Sequence, residues 1–177
     1  AHVYFEFKKI NQDVQMVAFV DPKPIGKKFA ESNNFFPNKQ YPSLVEMLKN
    51  EKLDLLMVGS PNHLHLEHIK IGLKFGIKVF AEKPIVINEE QTWELAKLIK
   101  EFGKERVIVG LVLRYSKHAR AVRDLIDNDQ LGTIISLEAS EHIMPWHGGF
   151  FMRNWRRKKT YSGGFMLEKC CHDIDFY

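Results

Sequence analysis

Short apolar runs alternate with amphipathic helical segments between residues 14 and 113, and this alternation constrains the fold most. The apolar runs are mostly β-branched and predict buried strands at residues 14–20, 53–58, 77–81 and 106–113. The segments between them repeat apolar side chains at helical spacing, which predicts helices at residues 27–33, 43–48, 64–75 and 89–102. Alternation at this spacing predicts a parallel sheet with helices on both faces.

Capping residues mark where several of these helices begin and end. Ser43 is the predicted N-cap of the second helix. Asn88 and Gln91 have the three-residue spacing of a capping box at the start of the fourth helix. Gly76 and Gly103 follow the third and fourth helices and predict their ends.

The pattern changes after residue 117. Residues 118–127 predict an amphipathic helix, and residues 133–139 alternate like a strand of a sheet with one exposed face. Residues 146–155 are rich in glycine, aromatic and basic residues, which is typical of a loop over a ligand site. A final helix is predicted after Gly164.

Two incomplete domains are therefore expected. Residues 1–117 predict a dinucleotide-binding domain of the Rossmann type, whose first strand and G-x-G-x-x-G phosphate loop are missing from the sequence. Residues 118–177 predict the entry to a second domain. Residues 2–10 read as the back part of a helix, and residues 168–177 as a helix without a stop signal. We therefore expect the sequence to be part of a longer protein.

Composition favours an ordinary soluble protein. The formal net charge is only +4 with basic and acidic residues interspersed, which argues against a nucleic-acid-binding protein. No apolar run approaches the roughly 20 residues that cross a bilayer. Cys170 and Cys171 are the only cysteines, and adjacent cysteines rarely bridge each other. These features predict a cytoplasmic protein with neither a structural zinc nor a membrane partner.

Charged residues follow two of the predicted strands, at the edge where open α/β sheets bind ligands. Glu82 and Lys83 end the strand at residues 77–81, and Pro84 holds Lys83 on a stiff turn. The tripeptide alone fits a strand end with solvated charges equally well. Asp21 ends the first strand and is placed to hydrogen-bond the adenosine ribose, which favours NAD. A simple Asp-Pro turn is the alternative, and the lysines at positions 23, 27 and 28 could instead bind the 2′-phosphate of NADP.

The loop after the second strand is small and polar, as a cofactor-lining loop would be. It contains Ser60, Pro61, Asn62 and His63. Three histidines in this region, at positions 63, 65 and 68, suggest a metal site. Their i, i+2, i+5 spacing does not gather three ligands on one helical face, so no metal is predicted.

A second set of chemical groups lies on the predicted final helix. Glu168, His172 and Asp175 are spaced four and three residues apart, which places them on one helical face. Flanking carboxylates can orient the imidazole and bring its pKa towards neutrality, which suits a base that takes a proton from a hydroxyl. A face of solvated charge is the alternative, but the surrounding residues are largely apolar.

In this order and spacing, these motifs resemble the Gfo/Idh/MocA oxidoreductases, which include glucose–fructose oxidoreductase and inositol dehydrogenases. The resemblance covers residues 14–177 and rests on Asp21-Pro22, Ser60-Pro61-Asn62-His63-Leu64-His65, Ala81-Glu82-Lys83-Pro84, Arg114-Tyr115, Gly163-Gly164 and the Glu168, His172 and Asp175 set.

The resemblance implies that the Rossmann domain is followed, over residues 118–177, by the start of an α+β domain with a mostly antiparallel sheet. It also implies a role for each matching residue. Lys83, His172 and Glu168 are the expected catalytic residues, with Lys83 on the reacting oxygen and His172 as the base. The expected cofactor-binding residues are Asp21, Ser60, Pro61, Asn62, His63, His65, Glu82 and Lys83. The expected substrate contacts are Lys83, Arg114, Trp155, Glu168, His172 and Asp175. The family more often has aspartate where Glu168 stands, and the longer side chain shifts the carboxylate.

The resulting hypothesis is an NAD(P)-dependent oxidoreductase that transfers a hydride to or from a sugar, an inositol or a related polyol. The cofactor is expected to be NAD, with NADP as the alternative. A homo-oligomer, a dimer or tetramer formed through the second-domain sheet, is also expected. Two other functions stay open: a nucleotide-dependent glycosidase of the same family, and a sugar-responsive regulator without turnover.

Overall fold

All strands in the described part of the protein pair in parallel. The structure is a computed structural model, and it describes residues 13–22 and 39–177. The first sheet pairs β1 (Phe19–Val20) with β2 (Gln40–Tyr41). The second sheet has the order β3 (Leu55–Val58), β4 (Lys78–Ala81), β5 (Val107–Val109). The predicted parallel α/β architecture is confirmed. The predictions for residues 2–10 and 27–33, and for the lysines at 23, 27 and 28, lie outside the described residues.

Helices connect the strands and make up most of the regular structure after β5. The α-helices are α1 (Leu44–Asn50), α2 (His65–Lys74), α3 (Glu89–Phe102), α4 (Lys117–Asp127), α5 (Pro145–Phe151), α6 (Lys159–Ser162), α7 (Phe165–Glu168) and α8 (Cys171–Phe176). Short 3-10 helices lie at Asn62–Leu64, Lys104–Arg106, Val112–Tyr115 and Asn154–Arg157. Within the described ranges, every helix is too short or too polar to cross a membrane.

The predicted helix caps are confirmed. Ser43 Oγ accepts a hydrogen bond from the Glu46 backbone N–H at 3.2 Å. Asn88 Oδ1 accepts from the Gln91 backbone N–H at 2.9 Å, as a capping box requires. The second half of the box differs, because Gln91 Oε1 accepts from the Ile87 N–H and not from that of Asn88. The helix still begins where the sequence predicts.

The core lies where α2 packs on β3 and β4. Ile69 of α2 and Val79 of β4 are fully buried, and Leu73 is 1% exposed. The helix approaches the sheet closely at Gly72, where a Cβ atom would lie 2.8 Å from Val79 Cγ2 and 2.9 Å from Leu56 Cδ2. Only glycine fits at this contact without displacing the core.

The carboxyl ends of the three neighbouring strands meet at one edge. Val58, Ala81 and Val109 stand opposite one another across the sheet. Past these residues, the Glu82 N–H donates to the Val58 carbonyl at 2.9 Å, and the Gly110 N–H donates to the Ala81 carbonyl at 2.8 Å. The loops after β3, β4 and β5 therefore start side by side, as the sequence predicts for a ligand-binding edge.

Two predicted strands are shorter in the structure. Among the described residues, the run at residues 14–20 pairs only at Phe19–Val20, with the two-residue strand β2. The run at residues 106–113 pairs only at Val107–Val109, and 3-10 turns adjoin it on either side. Apolar composition extends further along the chain than the hydrogen bonds of a neighbouring strand, and pairing sets the length of a strand.

Two predictions after residue 117 are wrong. Residues 133–139 form no strand, and Ile135 is 93% exposed. A strand needs a paired neighbour, and within the described ranges no other segment pairs with these residues. The predicted antiparallel sheet is thus not seen there. Residues 146–155 are not a loop, because α5 and the start of a 3-10 helix occupy them. Pro145 suits the first turn of α5.

The predicted final helix is broken after Glu168. Helix α7 ends at Glu168, Lys169 and Cys170 form a turn, and α8 begins at Cys171. In a continuous helix the Glu168 carbonyl would accept from the N–H four residues later. Here it accepts from Lys83 Nζ at 2.6 Å. The break therefore coincides with a contact from the edge of the sheet.

Candidate functional site

His65 joins the loops that follow β3 and β4. The side chain is 1% exposed, at the start of α2. Its Nδ1 lies 2.8 Å from the Pro84 carbonyl oxygen, and its Nε2 lies 2.7 Å from the Ser60 carbonyl oxygen. Both ring nitrogens thus face backbone carbonyls. His65 therefore positions the two loops, and its contact with the cofactor stays a prediction.

The loop after β3 reaches the second half of the chain. Asn62 is 5% exposed, and its Nδ2 donates to the Ser162 carbonyl oxygen at 3.2 Å. The ring of His63 packs against the ring of Tyr161, with 4.7 Å between the centroids. Residues Asn62 and His63, predicted to line the cofactor site, therefore form a contact with helix α6.

The three histidines of this region point to different partners. His68 Nδ1 lies 2.9 Å from Ser60 Oγ, whereas His65 bonds two carbonyls and His63 packs on Tyr161. Among the residues that the structure describes, no three His, Cys, Asp or Glu side chains are grouped for a metal ion.

Lys83 links the edge of the sheet to α7 and α5. In addition to its bond to the Glu168 carbonyl, its Nζ lies 5.8 Å from the centroid of the Phe151 ring. The Lys83-Pro84 peptide bond is cis. Glu82 turns towards β5, where its Oε2 lies 3.3 Å from the position a Cβ atom would take at Gly110. The lysine predicted from the strand end is thus held against the helix that precedes His172.

Glu168 is a buried carboxylate beside two cations. Its side chain is only 5% exposed, and burial raises its pKa, while the charges of Arg156 and Lys83 act in the opposite direction. Arg156 Nε lies 3.4 Å from Glu168 Oε1. The sequence predicted a charged face shared with His172, whereas in the structure the nearest charges to this carboxylate come from other segments.

Arg156 is a site residue that the sequence reasoning missed. Its guanidinium carbon lies 4.0 Å from the centroid of the Phe150 ring and 4.3 Å from that of Trp155. Burial lowers the pKa of Arg156, and the nearby Glu168 carboxylate opposes that shift. The available signal was the arginine directly after Trp155 in an aromatic, basic segment.

His172 lies in a positive environment. Burial lowers its pKa from the ordinary value, and the charges of Lys83 and Lys169 lower it further, against the effects of Glu141 and Asp175. The predicted shift towards neutrality is wrong, because burial and two lysines outweigh the carboxylates. Lys169 is itself buried and forms an ion pair with Glu141. Sequence spacing gave no signal for Glu141, which lies 31 residues before His172.

Arg114 and Asp175 bind each other. Arg114 Nε donates to Asp175 Oδ2 at 2.7 Å, and Nη2 donates to Oδ1 of the same carboxylate. This hydrogen bond is the main reason that the pKa of Asp175 is lowered. Both residues were expected to contact substrate, and their pairing joins the turn after β5 to helix α8.

Four buried side-chain atoms have no hydrogen-bond partner among the described residues: His63 Nδ1, Arg156 Nε, Glu168 Oε2 and His172 Nδ1. Buried polar atoms in folded proteins are nearly always paired. All four belong to residues of the candidate site, so the set fits a region that a polar molecule completes. Open space at Gly59, where an added Cβ would meet nothing within 4 Å, fits the approach of a cofactor to the loop after β3.

Asp21 lies at the edge of the smaller sheet. It follows β1, and its backbone carbonyl accepts a hydrogen bond from Gln40 Nε2 at 3.1 Å. The residue therefore stands at the carboxyl end of a parallel strand, as the prediction of a ribose contact requires.

Two family models match the chain. One is described as the oxidoreductase family with an NAD-binding Rossmann fold and matches residues 2–111. The other is described as the C-terminal alpha/beta domain of the same family and matches residues 123–177. The matches cover most of the sequence, and they agree with the parallel sheet seen in residues 55–109.

Curated relatives and solved structures agree with these matches. The chain is 31% identical over 80% of its length to the dTDP-3,4-didehydro-2,6-dideoxy-alpha-D-glucose 3-reductase of Actinomadura kijaniata, and covers 40% of that protein. It is 27% identical over 75% of its length to the 2,7-anhydro-N-acetylneuraminate hydratase of Escherichia coli, and covers 35% of it. The crystal structure of myo-inositol 2-dehydrogenase from Lactobacillus plantarum has the same fold (TM-score 0.75, 24% identity, 93% of this chain and 48% of that one).

The chain thus spans less than half the length of these relatives. On the family matches, the chain belongs to the Gfo/Idh/MocA oxidoreductase family.

Proposed function

We propose that the full-length protein is an NAD-dependent oxidoreductase acting on a CH–OH carbon of a sugar, an inositol or a related polyol. The proposal rests mainly on the contact between Lys83 and helix α7, which lies just before His172 in the chain. The Lys83 ammonium bonds the Glu168 carbonyl, and its charge acts on both Glu168 and His172. A lysine, a histidine and a carboxylate that influence one another in this way are suited to proton transfer at a hydroxyl group.

The cofactor side would consist of the loops after the parallel strands. Ser60, Pro61, Asn62, His63 and Glu82 lie on two of these loops, and the unpaired His63 Nδ1 is free to bond a polar group of the nicotinamide. Asp21 would bond the ribose, which favours NAD. When bound, NAD supplies the hydride acceptor for oxidation of the substrate.

His172 would accept the proton of the substrate hydroxyl. Because its pKa is lowered, the imidazole is neutral at physiological pH and can accept the hydroxyl proton at a ring nitrogen. Lys83 Nζ has three N–H groups, of which the Glu168 carbonyl occupies one. A remaining N–H would donate to the substrate oxygen and stabilise the negative charge that develops on it. Glu168 and the Arg114–Asp175 pair would position substrate hydroxyls or the segments that hold them.

The organisation of the whole protein is also part of the proposal. We place the boundary between a dinucleotide-binding domain and a substrate domain near Lys117, which starts α4. A homo-oligomer through the second-domain sheet, and a cytoplasmic location, stay predictions.

The decisive experiment uses the full-length protein with a panel of sugars and inositols and with NAD or NADP, following the absorbance of the reduced cofactor. Lys83→Met should lower turnover by about 10²–10³-fold, the scale seen when one preorganised donor is removed. His172→Asn should lower it by about 10²–10⁴-fold. Lys78→Met is the matched control, because Lys78 lies on the same strand with an exposed side chain. NAD affinity should stay within a few-fold in all three variants.

Two results would contradict the proposal: full activity in Lys83→Met, or an active His172→Asn variant with an unchanged pH profile. A hydratase is the second candidate, because two relatives bear that name. It would convert substrate without net reduction of NAD, which the absorbance measurement distinguishes. A glycosidase would release a sugar from a glycoside without net cofactor reduction, and a regulator would bind sugar without turnover.

A further inference from the structure

A basic cavity lies beside the candidate active site. It has a volume of about 610 Å³, it is open to solvent, and most of the side chains that line it are exposed. Three of its lining residues are cations, namely Arg153, Arg157 and Lys158. The others are Met152, Asn154, Trp155 and Tyr161, so the wall combines positive charge with aromatic surface, and none of its described residues is acidic.

The three cations lack counter-charges. Neither Arg153, Arg157 nor Lys158 forms a salt bridge with any residue that the structure describes, whereas the neighbouring Arg156 pairs with Glu168. Like charges that line one cavity repel each other, and a concave wall concentrates their field. An anion bound in the cavity would relieve this repulsion.

The cavity is fixed to the loop that lines the cofactor side. Its wall residue Tyr161 packs on the ring of His63, and the next residue, Ser162, accepts a hydrogen bond from Asn62. On its other side, Trp155 packs on Arg156, which pairs with Glu168. A molecule that reaches Lys83 and His172 could therefore extend into the basic cavity.

We propose that this cavity binds the anionic group of the substrate, so that the enzyme acts on a sugar bearing a phosphate or a carboxylate. The inference rests on the proposed function and names its substrate class. Arg153 and Arg157 present planar guanidinium groups that match either anion, and Lys158 adds a point charge. The aromatic side chains of Trp155 and Tyr161 offer apolar surface for the face of a sugar ring.

The test measures binding and turnover separately, with full-length protein saturated with NADH or NAD. Glucose 6-phosphate, glucuronate and glucose are the probes, titrated by calorimetry and then assayed. At least one anionic sugar should bind at least tenfold more tightly than glucose, and its identity decides between phosphate and carboxylate. The Arg157→Gln and Lys158→Gln double variant should remove this preference. Lys159→Gln is the matched control, since Lys159 is adjacent and exposed but does not line the cavity.

Three outcomes would overturn the inference: equal affinity for glucose and both anionic sugars, a preference unchanged in the double variant, or a double variant that loses NADH affinity instead. The last result would assign the cavity to the cofactor phosphates. Lys83→Met separates the two proposals, because it should keep the affinity for the anionic sugar while losing turnover. If Lys83→Met is fully active and the preference persists, the proposed mechanism fails and the anion site stands.

Discussion

Replacing His65 tests how the two site loops are held together. His65→Leu keeps a side chain of similar volume but removes both ring nitrogens, which lie 2.7 and 2.8 Å from two carbonyl oxygens. The site is 1% exposed, so water cannot readily replace the lost N–H donor. A neutral imidazole carries one N–H and therefore donates to one of the two carbonyls. A buried polar group left without its partner costs about 1–3 kcal/mol, so we expect the free energy of unfolding to fall by about 1–3 kcal/mol.

The same substitution should affect catalysis through Lys83. The Pro84 carbonyl that His65 holds belongs to the residue directly after Lys83. Misplacement of a reacting group by about 1 Å can reduce rate by about 10²-fold, so we expect His65→Leu to lower turnover by about 10–100-fold with a smaller change in KM. Such a split between kcat and KM distinguishes a positioning role from general loss of folded protein.

Urea denaturation and steady-state kinetics of full-length protein measure both effects. His68→Leu is the matched control, because His68 lies on the same helix. Its Nδ1 is hydrogen-bonded to the Ser60 hydroxyl, which can rotate to another partner. His68→Leu should cost about 0.5–1.5 kcal/mol and leave turnover nearly unchanged. A His65→Leu variant as stable and active as the control would refute the reasoning.

Three further predictions concern the base, the core and a helix cap. Burial and Lys83 lower the pKa of His172, so the neutral imidazole persists to lower pH. The acid limb of the oxidation rate should therefore lie below about pH 6.5. A pH–rate profile with its acid limb above that value would contradict the assignment of His172 as the base. Gly72→Val should lower the free energy of unfolding by about 1–3 kcal/mol, because its side chain would enter the contact with β4, and urea denaturation would show no loss if the helix can shift. Asn88→Ala removes the cap of α3 and should cost about 0.5–2 kcal/mol, visible as a lower Tm, whereas Asn88→Asp should keep most of the stability.

The sequence predicted well those features that depend on interactions between residues close together in the chain. Helix α3 begins at Glu89 and ends at Phe102 as expected, because Asn88 and Gly103 act on their nearest neighbours in the chain. The parallel arrangement of β3, β4 and β5 also followed from their spacing. The lengths of β1 and β5 did not, because a strand extends only as far as its partner, and pairing is a property of distant segments.

The site residues stay predictions, and the sequence carried little signal for the contacts that the structure shows around them. Lys83 and His172 were chosen from their own strand and helix patterns. The break after Glu168 was not foreseen, because it coincides with a bond from a lysine 85 positions earlier in the chain. Arg156 and Glu141 were missed for the same reason: each acts on a partner from another segment, and no periodicity records that partner.

The bond between the Lys83 ammonium and the Glu168 carbonyl has a consequence for the order of events in a catalytic cycle. It is the direct hydrogen bond that ties the end of β4 to helix α7. A substrate oxygen that accepts from another N–H of the same ammonium would draw Lys83 towards itself, so substrate binding would weaken this tie and product release would restore it. Rotation of the Lys83 side chain would then make the contact with helix α7 depend on whether the site is occupied.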